Sequence, residues 1–139
     1  MTGASEVANL ASASILLVDD ETLVRQMLSR SLRRLGYQVV EAVNGADALR
    51  LWPDVAGDVS LVITDMVMPG GISGTDLAAR LRERRPGIEI VVMSGHSAQV
   101  ANESDAAVHG VRFMSKPFSL AILRHTVLTA LGTGKPTGE

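Results

Sequence analysis

The sequence predicts a doubly wound α/β domain, a five-stranded parallel sheet with helices on both faces. Three observations carry this. Short apolar runs recur along the chain, most end in a polar residue, and each is followed by a stretch with helical spacing. A run that is apolar at every position reads as a strand buried on both faces, as in parallel sheets. Alternation of strand and helix then implies right-handed crossovers.

Ile15 to Val18 is the first run, closed by Asp19 and Asp20. Leu23, Val24, Met27, Leu28, Ser31, Leu32 and Leu35 follow at helical spacing, with Arg25, Arg30, Arg33 and Arg34 between them and Gly36 as a stop. Gln38 to Ala42 reads as a second strand. Asn44 with Asp47 three residues on marks a helix start, and Pro53 is expected to end that helix. Leu61 to Asp65 is a third strand that delivers an acid at its carboxyl end. Pro69-Gly70-Gly71 turns the chain, Ser73 and Asp76 form a capping-box pattern, and Pro86-Gly87 ends the helix that follows. Ile88 to Met93 leads into Ser94-Gly95-His96. A weak helical stretch from about Ala98 to Ala107 and a last strand, Val111 to Ser115, come next, closed by Lys116-Pro117. Leu120, Leu123, Val127 and Leu131 mark the terminal helix. Residues 1–14 read as a loose leader, 15–131 as one domain and 132–139 as a flexible tail.

Composition limits the function. The 139 residues suit a single domain, and 46% hydrophobic against 20% charged residues is enough to bury a core. A formal charge of −2 lacks the basic surplus that nucleic acid binding requires. There is no cysteine, which fits a cytoplasmic location, and no apolar run approaches the roughly 18 residues of a membrane span. Neither nucleic acid nor membrane is expected as a partner.

In an open α/β sheet, ligands bind beyond the carboxyl ends of the strands. Asp19, Asp20, Asp65, Ser94 and Lys116 all fall at such ends. Taken singly, each has a plain structural reading: a helix cap, a turn residue, a small residue before glycine, a solvated lysine. Together they place complementary polar groups at one edge. Carboxylates about 4 Å apart repel by roughly 1 to 4 kcal/mol per pair, so a tight acidic cluster calls for a cation. Mg²⁺ suits oxygen ligands and shares phosphoryl oxygens readily. A carboxylate is also a nucleophile, while a lysine offsets phosphoryl charge and a hydroxyl donates to it. The chemistry these residues suggest is phosphoryl transfer onto an aspartate.

Val18-Asp19-Asp20-Glu21, Thr64-Asp65-Met66-Val67-Met68-Pro69, Met93-Ser94-Gly95 and Lys116-Pro117-Phe118 resemble the receiver domain of two-component response regulators, in order and over about residues 15 to 131. The resemblance implies a flavodoxin-like fold with strand order 2-1-3-4-5. It implies Asp65 as phosphoacceptor, Mg²⁺ held by Asp20, Asp65 and the Val67 backbone carbonyl with Asp19 helping through water, and Lys116 on the phosphoryl oxygens. Ser94 and Phe113 would be the switch residues, and Lys116–Pro117 a cis bond. The implied partners are a histidine kinase or histidine phosphotransfer protein and an unidentified downstream protein; dimerisation on phosphorylation is left open.

Two features depart from the family's common pattern. Phe113 lacks the hydroxyl of the frequent tyrosine, and Pro69 to Gly74 is one residue longer than usual, as in receivers of hybrid sensor kinases. His96 reads as solvated, as does the arginine face of Arg80, Arg82, Arg84 and Arg85. Competing readings are a receiver serving only as an interaction surface, a phosphatase of the haloacid dehalogenase type, and a flavin or nucleotide module. The phosphatase pattern needs an acid two positions after the nucleophile, and Val67 stands there after Asp65. The flavin or nucleotide module needs a phosphate-cradling loop where this chain has Asp19-Asp20-Glu21.

Overall fold

The computed structural model describes residues 13–95 and 111–132. Five parallel strands form one sheet in the order β2-β1-β3-β4-β5. They are β1 (Ser14–Val18), β2 (Gln38–Ala42), β3 (Val59–Asp65), β4 (Glu89–Ser94) and β5 (Arg112–Ser115). Four helices are found among the described residues: α1 (Thr22–Arg34), α2 (Gly45–Val55), α3 (Gly74–Arg84) and α4 (Leu120–Gly132). The helical stretch expected near Ala98 to Ala107 lies outside the described residues.

The apolar strand runs follow from burial on both sides. Side chains alternate across a strand, so Leu16 and Val18 enter one layer while Ile15 and Leu17 enter the other. The first layer packs Val62, Ile90 and Val92 against Ala48 and Trp52 of α2 and Leu77, Ala78 and Leu81 of α3. The second packs Leu61, Ile63, Val91 and Met93 against Leu28 and Leu32 of α1 and Leu123, Val127 and Ala130 of α4. Burying such side chains stabilises by about 1.5–3 kcal/mol each, which is what holds a chain without disulfides together.

Local signals mostly act as the sequence suggests. The Asn44 side chain accepts from the Asp47 backbone N–H at 2.8 Å, and Ser73 with Asp76 closes a capping box at the start of α3. Gly36 takes φ 104°, a left-handed conformation that glycine adopts without strain, and lets the chain turn from α1 into β2. The expected end of α2 at Pro53 is corrected: the helix runs to Val55 with Pro53 inside it. Proline forfeits its own N–H bond, yet the Ala56 N–H still reaches the Trp52 carbonyl at 2.8 Å, and burial of Trp52 in the first layer holds the last turn in place. Gly132, expected to begin the tail, is the last residue of α4.

Candidate functional site

Strand register brings the polar residues to one edge. Val18 pairs with Thr64 and Asp65 with Met93, while Ser94 pairs with Ser115. Asp19, after β1, therefore emerges beside the end of β3, and Lys116, after β5, beside the end of β4, one strand from Asp65. The ladder continues past the strands: Met66 N–H donates to the Met93 carbonyl at 2.8 Å, and Lys116 N–H donates to the Ser94 carbonyl at 2.8 Å.

Asp19, Asp20 and Asp65 each present a carboxylate oxygen within 4.8 Å of the others. Asp19 is wholly buried, Asp65 nearly so, and Asp20 exposed. Lys116 Nζ stands 3.1 Å from Asp65 Oδ1. The Asp65 carboxylate also accepts from the Met66 N–H at 3.0 Å, which fixes its rotation. Asp19 Oδ1 accepts from the Glu21 N–H at 2.9 Å, and Asp19 Oδ2 is buried without a hydrogen-bond partner among the described residues. Burial pushes the Asp19 carboxyl above its usual range; the Glu21 hydrogen bond opposes this, and the neighbouring Asp65 charge adds to it. Three converging carboxylates, one with an unmatched buried oxygen, fit a hard divalent cation.

Ser94 lies buried at the end of β4, on the same edge. Phe113 sits further back in β5, paired with Val92, half-buried against the first layer. Val67 is exposed on the loop after β3. The Lys116–Pro117 bond is cis, as the resemblance implies. His96 lies outside the described residues.

Three supporting residues are not singled out by the sequence pattern. Arg25 donates from its guanidinium to the Asp19 backbone carbonyl at 2.8 Å and pairs through Nε with Glu41 Oε1 at 2.9 Å, tying the Asp19 turn to β2. The buried Thr64 hydroxyl donates to the Asp65 carbonyl at 3.0 Å. Gly74 donates its N–H to the Met66 carbonyl at 2.7 Å, and a Cβ there would overlap the Asp65 carbonyl oxygen. Arg25 reads in sequence as one more charge on an amphipathic helix, and Gly74 as the end of a loop; the pairing of β1 with β2 shows what Arg25 does, and the close approach of α3 to β3 what Gly74 does.

A family model described as response regulator receiver domain matches residues 15–128. Among curated proteins, sensor kinase CckA of Brucella abortus (strain 2308) is 38% identical over 116 residues, covering 84% of this chain. The chain spans only 12% of that kinase's length. The response regulator receiver protein CpdR of the same strain is 35% identical over 106 residues, covering 76% of this chain and 86% of CpdR. The solved structure of response regulator TrrA from Thermotoga maritima in complex with Mg²⁺-BeF superposes with a TM-score of 0.73 at 32% identity, covering 85% of this chain and 98% of that one. No helix among the described residues is long and apolar enough to cross a membrane. By sequence, fold and the placement of its acidic edge, the chain belongs to the family of response regulator receiver domains of two-component systems.

Proposed function

We propose that the chain is a phosphoacceptor switch in the cytoplasm, its one receiver domain running from β1, which begins at Ser14 rather than after it, to the end of α4 at Gly132. It takes a phosphoryl group from a histidine kinase or histidine phosphotransfer protein onto Asp65. The observation that carries this reading is the Asp65 carboxylate, held by Lys116 at 3.1 Å and flanked by Asp19 and Asp20 within 4.8 Å. A carboxylate oxygen of Asp65 attacks the phosphorus of the donor's phosphohistidine. The N–P bond breaks, and the imidazole nitrogen keeps the electron pair and takes a proton from solvent. Lys116 moves with the charge, pairing with phosphoryl oxygens as the Asp65 oxygen becomes an acyl oxygen.

Asp19, Asp20, Asp65 and the Val67 carbonyl would hold Mg²⁺, with Asp19 acting through water; the TrrA complex with Mg²⁺-BeF supports this assignment. When bound, the cation neutralises the carboxylates and polarises the transferred group. The Ser94 hydroxyl would donate to the phosphoryl group, and Phe113 would repack with it. Such a switch shifts a population between two shapes and so alters the surface offered to a downstream protein. The chain's own chemistry is confined to gaining and losing its phosphoryl group.

Intact mass after incubation with a small phosphoryl donor tests this reading. A single phosphoryl adduct is expected that needs Mg²⁺ and is absent from Asp65→Asn. Wild type that stays unmodified across several donors would refute it and leave a receiver serving as an interaction surface.

A further inference from the structure

A shallow polar cleft lies between α1 and the edge strand β2, lined by Gln26, Ser29, Arg30, Arg33, Arg34 and Glu41. Positions 26, 29, 30 and 33 share one helix face by their spacing of three and four residues. The cleft thus gathers three guanidinium groups against one carboxylate. That carboxylate is already matched, because Arg25 Nε holds Glu41 Oε1 at 2.9 Å. Arg33 donates to the Val39 carbonyl at 3.1 Å. Arg30 and Arg34, four residues apart, have no side-chain partner among the described residues, and like charges at that spacing repel. Ser29 is 2% exposed, and its hydroxyl has no hydrogen-bond partner among the described residues. A buried donor without an acceptor is a standing cost that a ligand oxygen would remove.

We propose that this cleft binds a small, multiply charged anion of the phosphate class. Tetrahedral oxygens accept from several guanidinium forks at once, and a dianion neutralises both unpaired arginines where a single carboxylate neutralises one. Arg33 already occupies an edge carbonyl of β2, which works against a peptide adding there as a further strand. The unpaired arginines stand apart from the acidic edge: Arg30 and Arg34 lie eight and twelve residues along α1 from Thr22, about 12 and 18 Å at 1.5 Å per residue.

Calorimetric titration of the full chain with inorganic pyrophosphate in Mg²⁺-free buffer tests the proposal. One saturable site is expected, weakened about tenfold or more in Arg30→Gln/Arg34→Gln. Lys116→Gln, which removes the cation beside Asp65, should leave the affinity unchanged. The charge-matched pair Arg80→Gln/Arg84→Gln on α3 should also leave it unchanged. Absence of saturable binding would overturn the proposal. So would loss of binding in Lys116→Gln, or an equal loss in the α3 pair. Binding of a glutamate-rich peptide with none of pyrophosphate would overturn it too, in favour of an acidic partner segment.

Discussion

Replacing Asp19 by asparagine should stabilise the metal-free protein. Asp19 is wholly buried, and its carboxylate lies within 4.8 Å of those of Asp20 and Asp65. Two unit charges 4.8 Å apart repel by about 0.9 kcal/mol at a dielectric of 80 and about 3.5 kcal/mol at 20. Lys116 beside Asp65 offsets part of this, so a net gain of about 1–2 kcal/mol is expected. Asparagine keeps the acceptor that Glu21 N–H uses and puts a donor where Asp19 Oδ2 now has no partner. For a domain of this size the gain corresponds to a rise in Tm of about 4–8 °C. The buried Trp52, the sole tryptophan, gives the fluorescence signal for thermal or urea unfolding in chelator at pH 7.

The pH dependence fixes the sign. Burial raises the folded carboxyl above the ordinary 3.8, so the unfolded chain releases its proton first as pH rises. Stability from this group is therefore fully present below 3.8 and lost as pH climbs through the folded value. The advantage of Asp19→Asn should grow as pH rises above 3.8 and be larger at pH 7 than near pH 3.8. Saturating Mg²⁺ should reverse the order, since a ligand at 100 times its Kd adds about 2.7 kcal/mol to wild type. An Asp19→Asn protein less stable than wild type in chelator, or a gain that does not change with pH, would refute the reasoning.

Other substitutions probe the supporting structure. Gly74→Ala should destabilise by about 2–3 kcal/mol although alanine is the better helix former, because its Cβ would overlap the Asp65 carbonyl; urea unfolding decides the sign. It should also slow phosphoryl uptake, read by intact mass, since the phosphoacceptor must shift. Asp47→Asn should cost about 0.5–1.5 kcal/mol at pH 7. The Val43 N–H and then Arg50 hold the Asp47 carboxyl below its usual range, so its contribution is present above 3.8 and lost as pH falls through the folded value. Unfolding curves for the two proteins should converge in acid.

The central strands and the end at which the polar groups gather were legible in the sequence, because a strand buried on both faces is largely apolar and its carboxyl end is marked by the acid or hydroxyl that closes the run, as at Asp19, Asp65 and Ser94. Asn44 and Ser73 were legible for a similar reason: a cap is a contact between residues three apart. Pro53 misled, since the local rule against proline inside a helix was outweighed by burial of Trp52, a contact made between layers. Arg25 and Gly74 illustrate the same limit at the site. Their roles depend on β1 standing beside β2 and on α3 meeting the end of β3, partners distant in sequence. Residue types along the chain set which groups reach the edge. Register and helix packing decided that Lys116 meets Asp65, that Asp19 is buried and Asp20 exposed, and that arginines spaced along α1 line a cleft, because these depend on distances between segments that no local pattern records.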